Sequence, residues 1–240
     1  RDRSPSRGLG DVYKRQAFDN VEIHASTQMG INNVAGAIMA KNLGFSRIVL
    51  ARETKLEDII AIKKATNLEI EYFMQGALCV SYSGNCYFSQ YEFGKSGNRG
   101  ECMQLCRLPY SAYIDNKKIG EGYLLSPRDL SLIENLKTLQ DAGVDSLKIE
   151  GRLRRAGYVA QSVISYRKAV DALKNNQKID INNEKTALKK VFSRGEFNTR
   201  AYLDAGVPDN IINPKIQNHL GVEIGTCLLY TSPSPRDGLL

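Results

Sequence analysis

Between Val21 and Met74 the chain alternates strand-like and helix-like segments at short spacing, and that alternation leaves few folds open. Residues 21–25 (VEIHA) alternate apolar and polar as a half-buried strand does. A helix is expected over about residues 30–43, capped by Ser26 or Thr27 and stopped by Gly44. Residues 47–51 (RIVLA) form a nearly continuous apolar run, the mark of a buried parallel strand. Thr54 and Glu57 have capping-box spacing at the head of a helix over about residues 55–65, and residues 68–74 (LEIEYFM) read as the next strand. This order is the βαβ pattern of a parallel sheet.

Further on, residues 108–122 read as loop, with a hairpin around Asp115–Lys118. Ser126 as N-cap and Pro127 at the first helical position predict a helix to about Ala142, ended by Gly143. Residues 146–150 (SLKIE) read as a fourth strand, followed by a basic turn over 151–155 and a long helix over 158–175. Residues 174–184 are polar and read as a boundary, beyond which a short helix ends near Phe192 and a strand is expected at Gly221–Gly225. The expected fold class is α/β: a partial TIM-barrel-like (β/α) domain over residues 17–176 with a cysteine-rich loop over 76–107, and the start of a small C-terminal extension over 177–226. A whole barrel takes about 250 residues, so only part of one is expected here.

The two ends are set aside from that reading. Residues 6–16 (SRGLGDVYKRQ) and 227–237 (CLLYTSPSPRD) look unrelated as protein. As DNA, a sequence encoding the first encodes the second on its opposite strand, one base out of register. Both match translations of a common sequencing-library adapter. Residues 1–16 and 227–240 are therefore expected to be adapter-derived, and native sequence to extend beyond the segment that remains. Of the formal charge of +7, residues 1–16 carry +3 and residues 227–240 carry 0, which leaves +4. That mild basicity permits nucleic-acid binding without demanding it. No run of 18 apolar residues occurs, so no membrane span is expected. Cysteines that are not scattered in pairs point to a reducing, cytoplasmic compartment.

Setting Cys227 aside leaves four of the five cysteines: Cys79, Cys86, Cys102 and Cys106, in a glycine-rich loop with spacing C-x6-C-x15-C-x3-C. Two disulfides would suit a secreted chain better. Structural zinc usually shows paired short knuckles, and only the last pair here is knuckle-like. A [4Fe–4S] cluster tolerates irregular spacing when glycine loops wrap it. All three readings stay open on spacing alone. The predicted strands end in His24, in Arg52 and Glu53, in Gln75, and in Lys148, Glu150 and Arg152. In a (β/α) barrel such ends share the active face with the loops that follow them. His24, Lys148, Glu150 and Arg152 are accordingly candidate catalytic residues, with Arg52 and Glu53 as candidate substrate contacts. Lys95, Arg99, Arg107, Arg152, Arg154 and Arg155 form a basic set suited to phosphates. Arg99 and Arg107 are the substrate-binding candidates among them.

GALCVSYSGNC, SGNRGECMQLCR and SLKIEGRLRRAGYVA resemble peptidase family U32, also labelled collagenase-like proteases. Weaker likeness runs from EIHASTQM through VFSRG to NHLGVEIG. The pattern is most similar to large bacterial members of 23S rRNA cytidine hydroxylation type. Sister groups are linked to tRNA uridine hydroxylation and to oxygen-independent ubiquinone hydroxylation. The resemblance implies a TIM-barrel-like domain and a cysteine-bound iron–sulfur cluster, and that ligand role passes to Cys79, Cys86, Cys102 and Cys106. The family label implies peptide hydrolysis, yet there is no HExxH and no GxSxG, and His24 and His219 are the two histidines present. A nucleophile or metal-activated water with a placed base is not apparent. The expectation is therefore iron–sulfur-dependent hydroxylation of an rRNA or tRNA base. A peptidase, a hydroxylase of a quinone precursor, and a structural zinc module in an RNA-binding scaffold are the alternatives.

Overall fold

The structure of the 240-residue chain is a computed structural model, in which residues 21–152, 154–200, 202–204 and 211–225 are described. The adapter-derived reading of residues 1–16 and 227–240 falls outside them. In chain order the elements are β1 (His24–Ala25), α1 (Val34–Asn42), β2 (Arg47–Val49), α2 (Leu56–Thr66), β3 (Glu69–Ala77), α3 (Phe88–Phe93), β4 (Tyr110–Ile114), β5 (Lys117–Gly122), β6 (Asp129–Ser131), α4 (Leu136–Asp141), β7 (Ser146–Ile149), α5 (Ala156–Lys174) and α6 (Ile181–Val191). The chain is thus mixed α/β. β1, β2, β3 and β7 lie side by side in chain order and run parallel, and β6 joins the upper end of β3 antiparallel.

The sheet has two unlike faces because side chains alternate along a strand. Ala25, Ile48, Ile70, Tyr72 and Met74 point to the helices, all at most 1% exposed. They join Ala37 and Ala40 of α1, Ile59 and Ile62 of α2, Leu139 of α4 and Tyr166 of α5 in one core. The opposite face carries charge. Arg47 pairs with Glu69 at 2.6 Å and Glu71 at 3.5 Å, and Lys148 pairs with Glu71 at 2.8 Å. Phe73 lies higher on the same face, with the Arg52 guanidinium 4.6 Å and the Lys148 ammonium 5.5 Å from its ring.

Several expectations are corrected. Residues 126–131 do not open a helix: Asp129–Ser131 forms β6 on Gln75–Ala77, and a 3-10 turn at Ile133–Asn135 leads into α-helix only at Leu136. Tertiary pairing overrides the Ser-Pro signal there, and the Ser126 hydroxyl accepts from Arg107 instead of capping. Thr54 does not cap α2 either, since its hydroxyl donates to the Ala51 carbonyl at 2.7 Å. The helix expected from residue 30 starts at Val34, because Gly30 is left-handed and Asn33 is the true cap, accepting from the Gly36 N–H. The hairpin at 115–118 is longer than expected, spanning β4 and β5, with Asp115 and Asn116 both left-handed as a type I′ turn requires. The polar stretch before residue 184 runs into α6, which packs on α5 through buried Glu184, acceptor of the Ser165 hydroxyl at 2.6 Å. No strand forms at Gly221–Gly225. None of the described helices is long and apolar enough to cross a membrane.

Candidate metal centre and adjoining cavity

The cysteine loop leaves the top of β3 and is pinned at its neck. A Cβ on Gly76, whose φ is +126°, would sit 2.7 Å from the Glu150 carbonyl oxygen. Glycine therefore lets the loop depart while the end of β7 lies against it. Arg107 closes the other side. Its guanidinium donates to the Leu78 carbonyl at 2.8 Å, to the Ser126 hydroxyl at 2.7 Å and to the Pro127 carbonyl. Burial, then the nearby Arg194, lowers this guanidinium to about 10, still a cation at neutral pH. Inside the loop, the Ser83 N–H and hydroxyl each donate to Glu53 at 2.9 Å, and the Met103 N–H donates to the Ser89 hydroxyl at 3.0 Å. Gly84, at φ +81°, allows the loop to lie on the Gln28 carbonyl, where a Cβ would approach to 2.3 Å.

These ties hold Cys79, Cys86, Cys102 and Cys106 in one loop, all as free cysteines. Burial pushes the Cys106 thiol up, Arg107 beside it pulls it down, and Cys79, Cys102 and Cys86 each push it up again. Gly97 fits between Cys102 and Cys86, its Cβ position 3.7 Å from the Cys102 Cβ and 3.9 Å from the Cys86 carbonyl oxygen. The Gln104 N–H lies 3.4 Å from Cys102 Sγ as a donor. Among the described residues no three His, Cys, Asp or Glu side chains are gathered tightly enough to hold a single ion. The donor set itself, soft sulfur with an N–H aimed at it, is of the kind that iron–sulfur clusters use.

Below the neck is a buried charge cluster that sequence reading missed. Asp129, 2% exposed, accepts from Arg194 Nη1 at 2.7 Å and from the Arg194 N–H at 3.0 Å, with Arg154 Nη2 at 3.6 Å. Arg154 also lies 3.4 Å from the Phe192 ring centroid. Asp129 was hidden in an apparent helix start and Arg194 sits 65 residues away, so nothing local linked them.

A cavity of about 440 Å³ opens beside Cys79, lined also by Arg52, Glu53, Lys55, Tyr82 and Tyr202. Burial, then Glu53, Tyr82 and Cys79 around it, pushes the Tyr202 hydroxyl up. Of the expected site residues, Arg52 and Glu53 face this cavity. Glu150 lies against Gly76, and Arg152 reaches the Gly100 carbonyl of the loop at 3.3 Å. Arg99 is exposed on the loop. Lys148 lies lower, on the charged sheet face. His24 sits lower still, in the register row of Arg47 and Glu69, 3.9 Å from Glu22. What reaches the loop from the first strand is the following turn, through Gln28 and Gly30. The basic set is smaller than expected. Arg107 and Arg154 are turned inward by their acceptors, and Lys95, Arg99, Arg152 and Arg155 remain exposed.

The sequence is similar to several known proteins. The chain is 48% identical over 155 residues to the 23S rRNA 5-hydroxycytidine C2501 synthase of Escherichia coli, covering 64% of this chain and 24% of that protein. It is 41% identical over 166 residues to tRNA hydroxylation protein P1 of Bacillus subtilis, covering 66% and 39%. It is 35% identical over 193 residues to a collagenase of Porphyromonas gingivalis, covering 73% and 46%. The chain thus spans from about a quarter to just under half of these relatives. No solved structure matches it. The family model described as Peptidase family U32 matches residues 8–210, and the chain belongs to that family.

Proposed function

We propose that this chain is part of an RNA base hydroxylase of cytoplasmic type, with Cys79, Cys86, Cys102 and Cys106 holding a [4Fe–4S] cluster. The observation that carries the cluster reading is the pinned loop: Arg107, next to Cys106, is fastened to the Leu78 carbonyl, next to Cys79, and Gly97 packs against the Cys102 side chain and the Cys86 carbonyl. A tetrahedral zinc needs four ligands about 2.3 Å from one point, whereas in a cluster each thiolate binds its own iron, which suits a wider set. When bound, such a cluster would supply one-electron or Lewis-acid chemistry. The chain's own residues would do the rest. Arg107 would hold the loop ends, the Gln104 N–H would donate to a ligating sulfur, and Arg152 would brace the loop at Gly100. Lys95, Arg99, Arg152 and Arg155 would meet phosphates. The parallel strands in chain order, with helices on one face, support the reading that the sheet is part of the wall of a (β/α) barrel.

RNA as the substrate is supported by relatives named for rRNA and tRNA hydroxylation. Peptide hydrolysis has less support, although one relative is named a collagenase. His219 is occupied, with Nδ1 accepting from the Ser193 N–H at 3.0 Å and its ring stacked on Phe192 at 5.3 Å. His24 lies in the lowest row of the sheet. Anaerobic purification is expected to give brown protein with about four irons per chain, and single Cys→Ala changes at the four positions should each lower that content. Folded, colourless, iron-free protein would refute the cluster, and zinc at about one per chain would favour the zinc alternative.

A further inference from the structure

We infer that the cavity beside Cys79 receives a single unstacked pyrimidine base of RNA, held between the rings of Tyr82 and Tyr202 with its N–H edge on Glu53. The inference rests on the RNA reading above and adds where, and by which groups, the base is held. At about 440 Å³ the cavity falls within the roughly 300–1,000 Å³ of small-molecule sites. Tyr82 is 71% exposed at the mouth, so its ring contributes little to the fold. Tyr202, half-buried, lines the same cavity.

Glu53 is fixed before any ligand arrives. The Ser83 N–H holds Oε1 and the Ser83 hydroxyl holds Oε2, each at 2.9 Å, and each oxygen keeps a lone pair for a further donor. The Arg52 guanidinium is anchored on the Phe73 ring, and its Nε is buried with no hydrogen-bond partner. The chemistry that fits two ring walls and a carboxylate acceptor is a flat π-system with an N–H on one edge. Uracil offers N3–H and cytosine its exocyclic amine. A base inside a helix presents neither its face nor that edge, so it must be unstacked or extruded first. Lys55 at the cavity, paired only loosely with exposed Glu57 at 3.6 Å, would turn to the attached phosphate, and Asp58 close by limits how many phosphates can approach. The position beside Cys79 brings a bound base to the metal-centre loop.

The test uses the full chain and fluorescein-labelled single-stranded RNA heptamers that differ only at the central nucleotide: cytidine, uridine or an abasic site, flanked by adenosines. Binding is read by anisotropy at low salt. Removing the central base is expected to weaken binding by about tenfold, the scale of one stacked base. Tyr82→Ala and Tyr202→Ala should abolish that difference, and Tyr82→Phe should keep it. Thermal melts confirm that the variants fold, and the abasic comparison on the unaltered chain needs no variant. Equal binding of the pyrimidine and abasic RNAs would overturn the inference while leaving the RNA reading intact. Absence of binding by all three would overturn the RNA reading and the inference with it.

Discussion

Arg107 Nη2 donates to the Leu78 carbonyl at 2.8 Å, fastening the residue after Cys106 to the residue before Cys79. One buried side chain thereby closes the neck of the cysteine loop, and the same guanidinium extends to Ser126 and Pro127 on the strand side. Replacing it with methionine leaves buried acceptors unpaired, which should cost about 2–4 kcal/mol in urea unfolding. Lysine is expected to rescue little, because one ammonium does not reproduce a planar fork that reaches two sides at once. An Arg107→Lys chain within about 0.5 kcal/mol of the original would show that the fork geometry is dispensable. With the proposed cluster in place, its iron content should fall in step with stability, since the loop ends separate.

Asp129 is the carboxylate between Arg194 and Arg154, and all three groups are largely buried. Asp129→Asn leaves two guanidinium groups facing each other with no counter-charge. The loss should be about 3–5 kcal/mol, the usual result of breaking one partner of a buried pair. Arg194→Met in the same chain should recover part of it. A double-mutant cycle by chemical denaturation reads the coupling, and additive losses would show that the contact contributes nothing of its own.

Local patterns in the sequence were enough to find β2, β3, β7 and α2 nearly in place, because their apolar spacing answers to the core they build. That the cysteine loop follows β3 and that Arg52 and Glu53 follow β2 was also legible, since both lie directly after strands whose apolar runs are plain. Long-range pairing was not. Asp129–Ser131 looks like a helix start in isolation and becomes a strand only because Gln75–Ala77 offers it a free edge. The basic set was overcounted for a related reason: Arg107 and Arg154 look like surface charge until their carbonyl and carboxylate acceptors, distant in sequence, are known. Tyr202 carries no local motif and gains meaning only from its place beside Cys79 and Tyr82.

Gly76 and Gly94 provide a controlled comparison of backbone constraint. Both have positive φ, but a Cβ on Gly76 meets the Glu150 carbonyl oxygen at 2.7 Å, and one on Gly94 meets nothing within 4 Å. Gly94→Ala should cost only the left-handed penalty, about 1 kcal/mol. Gly76→Ala adds a backbone collision and should cost at least about 2 kcal/mol more, or roughly 4–8 °C in Tm for a domain of this size. Equal shifts in parallel thermal melts would mean that the top of β3 and the end of β7 can move apart freely.

The charged sheet face separates a structural role for Lys148 from a catalytic one. Lys148 pairs with Glu71 at 2.8 Å in a partly buried setting, the side chains 35% and 15% exposed, and Glu71 also meets Arg47 at 3.5 Å. Such a pair contributes about 1 kcal/mol or less. Lys148→Met should therefore lower stability only slightly, and Glu71→Gln by a similar amount, with both losses shrinking as salt rises toward about 1 M. If Lys148 only supports the sheet, the RNA hydroxylation proposed for the complete protein should stay within about threefold of the unaltered rate in Lys148→Met. A fall of about a hundredfold or more with stability unchanged would assign the ammonium to acid–base work on the substrate, the scale at which such groups act. Glu71→Gln keeps the ammonium but frees it from its partner, so activity that survives Glu71→Gln and disappears in Lys148→Met would identify the ammonium itself, rather than the ion pair, as the group required.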